Sequence, residues 1–174
     1  SPENRIGDTG WIKPGSVSWI YWAYNHGSKD YQIVKKYIDM AVEMKLPYVL
    51  IDAEWDEMAN GGDVEDAIAY AKKCNVKPLI WYNSSTAWIK DWGAPGPHER
   101  LNDPEKREKE FQWLEDMGVA GVKIDFFAGD LQETMEYCID LLECAAKHKL
   151  LVNFHGAAIP RGWQRTYPNL MSVE

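Results

Sequence analysis

Apolar residues recur along this chain in two rhythms: short continuous runs, and longer stretches with apolar side chains three or four apart. The first rhythm predicts strands over Val17–Trp22, Tyr48–Ile51, Lys77–Tyr82, Gly121–Phe127 and Leu150–Phe154, with the start of a sixth at Leu170–Val173. The second predicts helices over Tyr31–Met44, Val64–Cys74, Asp103 to about Met117, and Leu131–Lys147. In the first helix Ile33, Val34, Tyr37, Ile38, Ala41 and Val42 share one face, and Asp30 stands where a cap belongs. Pro104 opens the third helix at its first position, and Gly118 ends it.

Strands separated by helices are the βαβ pattern of a parallel sheet. An open doubly wound sheet and a (β/α)₈ TIM-type barrel both fit. No Gly-x-Gly-x-x-Gly turn follows the first strand, which weakens a dinucleotide-binding sheet. The barrel is favoured by where polar residues fall. They gather at the C-terminal ends of consecutive strands: Asp52, Glu54 and Trp55; Trp81 and Asn83; Lys123 and Asp125; Asn153 and His155. Barrel enzymes build their sites from that rim. A full barrel takes about 250 residues. The 174 residues here are expected to form a partial (β/α)₈ domain spanning 1–174, an incomplete barrel of about five to six β/α units. An unclosed sheet has two strand edges without partners, so missing barrel strands of a longer chain are expected to cover them.

Composition changes this picture little. The chain is 45% hydrophobic and 26% charged, ordinary for one globular domain. A net charge of -8 argues against nucleic acid, and no apolar run reaches membrane-spanning length. Cys74, Cys138 and Cys144 form no metal-type pair, and reduced packing roles are expected. Tryptophan is the outlier, with nine residues beside nine tyrosines. They serve either an aromatic core or an apolar floor for a flat ligand such as a sugar ring.

Lys123-Ile124-Asp125 carries the sharpest chemistry. Residues two apart in a strand face one way, so Lys123 and Asp125 project together, with Val122, Ile124 and Phe126 opposite. A parallel strand buried on both faces is ordinarily apolar throughout. An Asp beside a Lys stays ionised at neutral pH and is able to act as a nucleophile. The alternatives are a cap for the following helix or a buried ion pair. Asp52 and Glu54 suit sugar hydroxyls, and Trp55 suits stacking on a ring; a solvated acidic loop is the other reading. Asn153 and His155 share a face at the end of strand five as ligand contacts. Neither a phosphate loop nor zinc-ligand spacing among His26, His98, His148 and His155 is present.

Taken together, Val17-Ser-Trp-Ile-Tyr-Trp22, Ile51-Asp-Ala-Glu-Trp-Asp56, Gly121-Val-Lys-Ile-Asp-Phe126, Val152-Asn-Phe-His-Gly156 and Arg165-Thr-Tyr-Pro-Asn-Leu170 resemble glycoside hydrolase family 97. The resemblance implies a (β/α)₈ catalytic barrel between flanking β domains that are absent here. It implies exo-acting α-glycosidases of two kinds. Inverting α-glucosidases have Gly at the position of Asp125 and Glu at that of Gly156. Retaining α-galactosidases have the Asp nucleophile and lack that Glu. Asp125 and Gly156 both match the retaining kind. A retaining enzyme brings its two carboxyl groups to about 5–5.5 Å, an inverting one to about 6.5–9.5 Å.

By this resemblance Asp125 forms a covalent glycosyl-enzyme, and Lys123, Asp52, Glu54, Trp55, Trp81, Asn153 and His155 contact a small oligosaccharide or glycoside. Lys123 holds Asp125 ionised. A calcium ion is implied as cofactor, with Glu174 among its ligands. Calcium takes several oxygens, which one Glu cannot supply, so weak affinity is expected of this segment. The family's acid/base Glu follows the position of Glu174 by about six residues, so the segment alone is expected to be inactive. A periplasmic or secreted location is implied as well. The competing readings are an α-glucosidase of the same family, a non-catalytic carbohydrate-binding homologue, and an aldolase with Lys123 as Schiff-base amine. The last suits a lysine beside an ionised Asp poorly.

Overall fold

The computed structural model describes residues 3–86, 93–157 and 162–174. Its sheet has six parallel strands in the order β1-β2-β3-β4-β5-β6. These are β1 (Val17–Trp19), β2 (Tyr48–Ile51), β3 (Lys77–Asn83), β4 (Gly121–Asp125), β5 (Leu151–Phe154) and β6 (Leu170–Val173). The helices are α1 (Tyr31–Glu43), α2 (Val64–Lys73), α3 (Pro104–Met117), α4 (Gln132–Lys147) and the short α5 (Trp163–Thr166). A doubly wound sheet reverses its strand order at a switch point. Here each strand lies beside the next throughout, as in an incomplete TIM-type barrel.

Helix boundaries follow local chemistry. The Asp30 side chain accepts from the backbone N–H of Gln32 and Ile33, which opens α1. Asp63 and Asp66 form a reciprocal capping box at α2. Pro104 begins α3, and Gly118 at φ 79° ends it in the left-handed conformation.

Alternation along the strands makes two unequal cores. Val49, Ile51, Ile80, Val122, Ile124 and Phe154 face outward into the main core beneath the helices. Leu50, Ala53 and Trp81 face inward, with Trp19, Leu79 and Phe126 packed against them. Gly121 is required where β4 meets β5. A Cβ there would lie 2.6 Å from the Leu151 carbonyl oxygen, closer than any side chain tolerates.

β1 and β4 each end two or more residues before their apolar runs do. β1 stops at Trp19, because Ala23 and Tyr24 both donate backbone N–H to the Ile20 carbonyl and turn the chain. Trp22 is thereby left 83% exposed. β4 stops at Asp125, because Phe126 adopts φ 63°. That turn rotates Phe126 onto the inner face beside Trp81, against the expectation that it continues the Val122–Ile124 side. Phe127 takes the outer core place instead.

Candidate active site

The inner face rises from apolar to polar in register. Trp19, Leu50, Leu79, Gly121 and Leu151 are successive partners across the sheet. One inward step higher, Trp81, Lys123, Asn153 and Ser172 are partners in turn. Asn83 pairs with Asp125 at the rim. A bulge between Val152 and Asn153 shifts the β6 register, and Asn153 donates its side-chain N–H to Ser172 Oγ.

Asp125 is 6% exposed and firmly oriented. Its Oδ1 accepts the backbone N–H of Phe126 at 2.7 Å, a contact made by the same turn that ends β4. Its Oδ2 accepts Trp81 Nε1–H at 3.2 Å. His155 Nδ1 lies 2.9 Å from Oδ2, and His155 Nε2 lies 3.2 Å from Glu174 Oε2. The first of these is an ion-pair distance without hydrogen-bond alignment, which leaves buried Nδ1 without a hydrogen-bond partner among the described residues. Gly156 backs the carboxylate at φ 58°, and a Cβ there would stand 3.4 Å from Asp125 Oδ1.

Lys123 does not pair with Asp125 as expected. Its ammonium reaches past β3 to Asp52 Oδ2 at 3.8 Å and lies 4.2 Å above the Trp19 ring. A lysine stem is long enough to leave the residue two places along its own strand and meet an acid on another. Asp52 Oδ2 also accepts Trp19 Nε1–H at 2.6 Å, and Oδ1 accepts the Ala53 N–H at 2.7 Å. Burial nevertheless pushes the Asp52 carboxyl above its usual range, and Asp125 adds to that rise. The Ala53 N–H, Lys123 and Trp19 oppose it.

Trp55 needs correction too. It is 2% exposed on the outer side of the sheet, with Nε1–H donating to the Trp81 carbonyl at 2.6 Å. It stacks on Trp113 and meets Tyr82 edge-on, so it is core and offers no ring platform. The cause is the left-handed turn at Glu54, φ 69°, which breaks the strand-like alternation after Asp52. Glu54 itself pairs with His26 and Lys29 beside the rim. Trp81, expected to contact substrate, is 1% exposed and donates its Nε1–H to Asp125. Trp19 and Ser28, whose Oγ accepts the Asp52 N–H, were not singled out from the sequence. Val17 and Trp19 at two-residue spacing carried a signal for Trp19; Ser28 carried none.

Glu174 is the one carboxylate that β6 brings to this rim; it is 61% exposed and faces His155. Calcium takes six to eight oxygens. Among the described residues no group of three ligand side chains gathers at the rim, so those residues do not by themselves fit the ion.

Comparison with known proteins finds relatives of this chain. A sequence profile described as Glycoside hydrolase 97 matches residues 15–174. A protein of Streptomyces bingchenggensis named "Probable retaining alpha-galactosidase" is 34% identical over 100% of this chain and 27% of its own length. A "Retaining alpha-galactosidase" of Bacteroides thetaiotaomicron is 30% identical over 98% of this chain and 26% of its own. A crystal structure of a beta-arabinopyranosidase superposes with a TM-score of 0.88 at 36% identity, covering 99% of this chain and 27% of that one. The chain thus spans about a quarter of the length of the curated relatives it matches.

Proposed function

The chain belongs to glycoside hydrolase family 97, and from that membership we propose that the whole protein is a retaining, exo-acting α-galactosidase with Asp125 as nucleophile. The observation that carries this reading is the buried Asp125 carboxylate at the rim, aimed by Trp81 and the Phe126 N–H, with Gly156 flush against it. In the first step an Asp125 oxygen bonds to the sugar's C1 while the bond from C1 to the leaving oxygen breaks. That oxygen takes a proton from a second carboxylic acid, which the family resemblance places beyond Glu174. The second carboxylate then takes a proton from water, whose oxygen bonds to C1 as the bond from C1 to Asp125 breaks, so the original configuration returns.

A glutamate in place of Gly156 would start its side chain 3.4 Å from Asp125 Oδ1. Gly156 places no carboxylate beside Asp125 Oδ1, which supports Asp125 as an attacking group rather than one half of a water-activating pair. Asp52, Lys123 and Asn153 face the same interior and suit sugar hydroxyls. By resemblance alone we place the protein in the periplasm or outside the cell.

The beta-arabinopyranosidase likeness at 36% identity favours a second substrate within the same mechanism. An arabinopyranoside with galactose's ring hydroxyl pattern lacks only the exocyclic CH₂OH, so one nucleophile serves both. The test uses full-length protein with aryl α-galactoside, α-glucoside and β-arabinopyranoside. The α-galactoside or the arabinopyranoside is expected to be cleaved with retention, and preference for the glucoside would reject the assignment. A fluorinated galactoside should label Asp125 in peptide mapping. Asp125→Asn should lower kcat by on the order of 10⁴-fold. Retained turnover in that variant would remove Asp125 from the mechanism.

A further inference from the structure

Away from the rim, α3 and α4 bring together a second set of polar side chains. Glu108 and Glu115 lie two helical turns apart on α3, hence on one face. Cys144 and His148 lie four apart at the end of α4. His148 is 5% exposed and Cys144 8%. His148 Nε2 is 2.7 Å from Glu108 Oε1, and Nδ1 is 2.7 Å from Glu115 Oε2. Cys144 Sγ lies 3.3 Å from Glu108 Oε2. The thiol sulfur, a ring nitrogen and a carboxylate oxygen all stand within 4.8 Å of one another.

We propose that Glu108, Cys144 and His148 form a binding site for zinc or a similar borderline-soft divalent cation, with Glu115 as the carboxylate that orients the His148 ring. A tetrahedral zinc site joins sulfur at about 2.3 Å and nitrogen or oxygen at about 2.0–2.2 Å. Such bonds separate neighbouring ligand atoms by roughly 3.3–3.7 Å, so small side-chain rotations close the set. Glu115 is the partner that metal-bound histidines usually have on their second nitrogen; it keeps the proton on Nδ1 and presents Nε2 to the ion. The thiolate selects zinc over calcium or magnesium, and water completes the fourth position.

Binding releases to solvent the thiol proton and any proton shared between His148 Nε2 and Glu108. Burial and Glu108 push the free thiol up to about 12. A coordinated thiol is deprotonated outright, since the ion supplies the missing positive charge. His148 immediately precedes the turn into β5, so the site sits at the end of the sheet opposite Asp125. An ion there clips α3 to α4 and supports the barrel without touching substrate.

The test uses full-length protein stripped with a chelator. Cobalt(II) should give a thiolate charge-transfer band that zinc displaces. Cys144→Ser and His148→Gln should each weaken zinc binding by tenfold or more. Zinc should also slow alkylation of Cys144 at least tenfold in the unaltered protein, a reading that does not depend on how the variants fold. An unchanged Cys144 alkylation rate, or no cobalt–thiolate band, would overturn the site and leave His148 as a ring hydrogen-bonded between two carboxylates.

Discussion

At the scale of single residues, the candidate site depends on indole N–H groups as much as on charges. Trp81 and Trp19 each give one N–H to a buried carboxylate, Asp125 and Asp52 respectively. A hydrogen bond to a charged group contributes about 1.5–3 kcal/mol. Trp81→Phe keeps the ring and removes the donor, so it is expected to lower kcat roughly 10- to 100-fold. Steady-state kinetics with full-length protein checks this, and an unchanged kcat would remove Trp81 from the positioning of Asp125. Asp52 yields a pH prediction. Its folded pKa is raised, chiefly by burial. The folded state therefore holds the proton more tightly than the unfolded chain does. This contribution is fully present below the ordinary value of 3.8 and is lost as pH rises through the raised folded value. Asp52→Asn should flatten that part of the stability profile, measured by denaturant unfolding across the acidic range. An unchanged slope would mean that Asp52 does not titrate as its burial implies.

At the scale of elements, ends decide more than middles. Helix ends at Asp30, Asp103 and Gly118 are local and were legible in the chain. The true ends of β1 and β4 were not. Each is set by a turn that apolar patterning does not encode, and the φ 63° at Phe126 both stops β4 and supplies the N–H that holds Asp125. The same blindness misplaced Trp55, whose side follows from the left-handed Glu54. Close strand packing gives the prediction at this scale. Gly121→Ala would force a methyl to 2.6 Å from the Leu151 carbonyl. Backbone cannot yield cheaply, so a loss of about 2–3 kcal/mol is expected. Urea unfolding measures it, and a change under 0.5 kcal/mol, about that of a neutral surface substitution, would contradict the close β4–β5 contact.

For the whole molecule, six parallel strands in chain order make a sheet whose middle is its most secure part. β3 and β4 are paired on both sides and covered by helices, whereas β1 and β6 are the outer strands of the described sheet. Amide exchange should be slowest in Leu79–Tyr82 and Val122–Asp125 and faster in β1. Equal protection throughout would show that the outer strands gain cover elsewhere in the whole protein. The barrel winding was readable from periodicity and from polar residues recurring at strand ends, because both are one-dimensional consequences of burial. Sequence also placed Lys123 and Asp125 on one face, since a two-residue repeat dictates that whatever surrounds it. Only packing in three dimensions chose their partners. Lys123 reaches Asp52 on another strand, and Asp125 takes Trp81 and His155 as neighbours. Glu108 and Cys144 meet although 36 residues separate them. Strand patterning specifies direction along one segment, but distances between segments follow from how twisted strands and long side chains fill shared space. That information belongs to the fold and to no single stretch of chain.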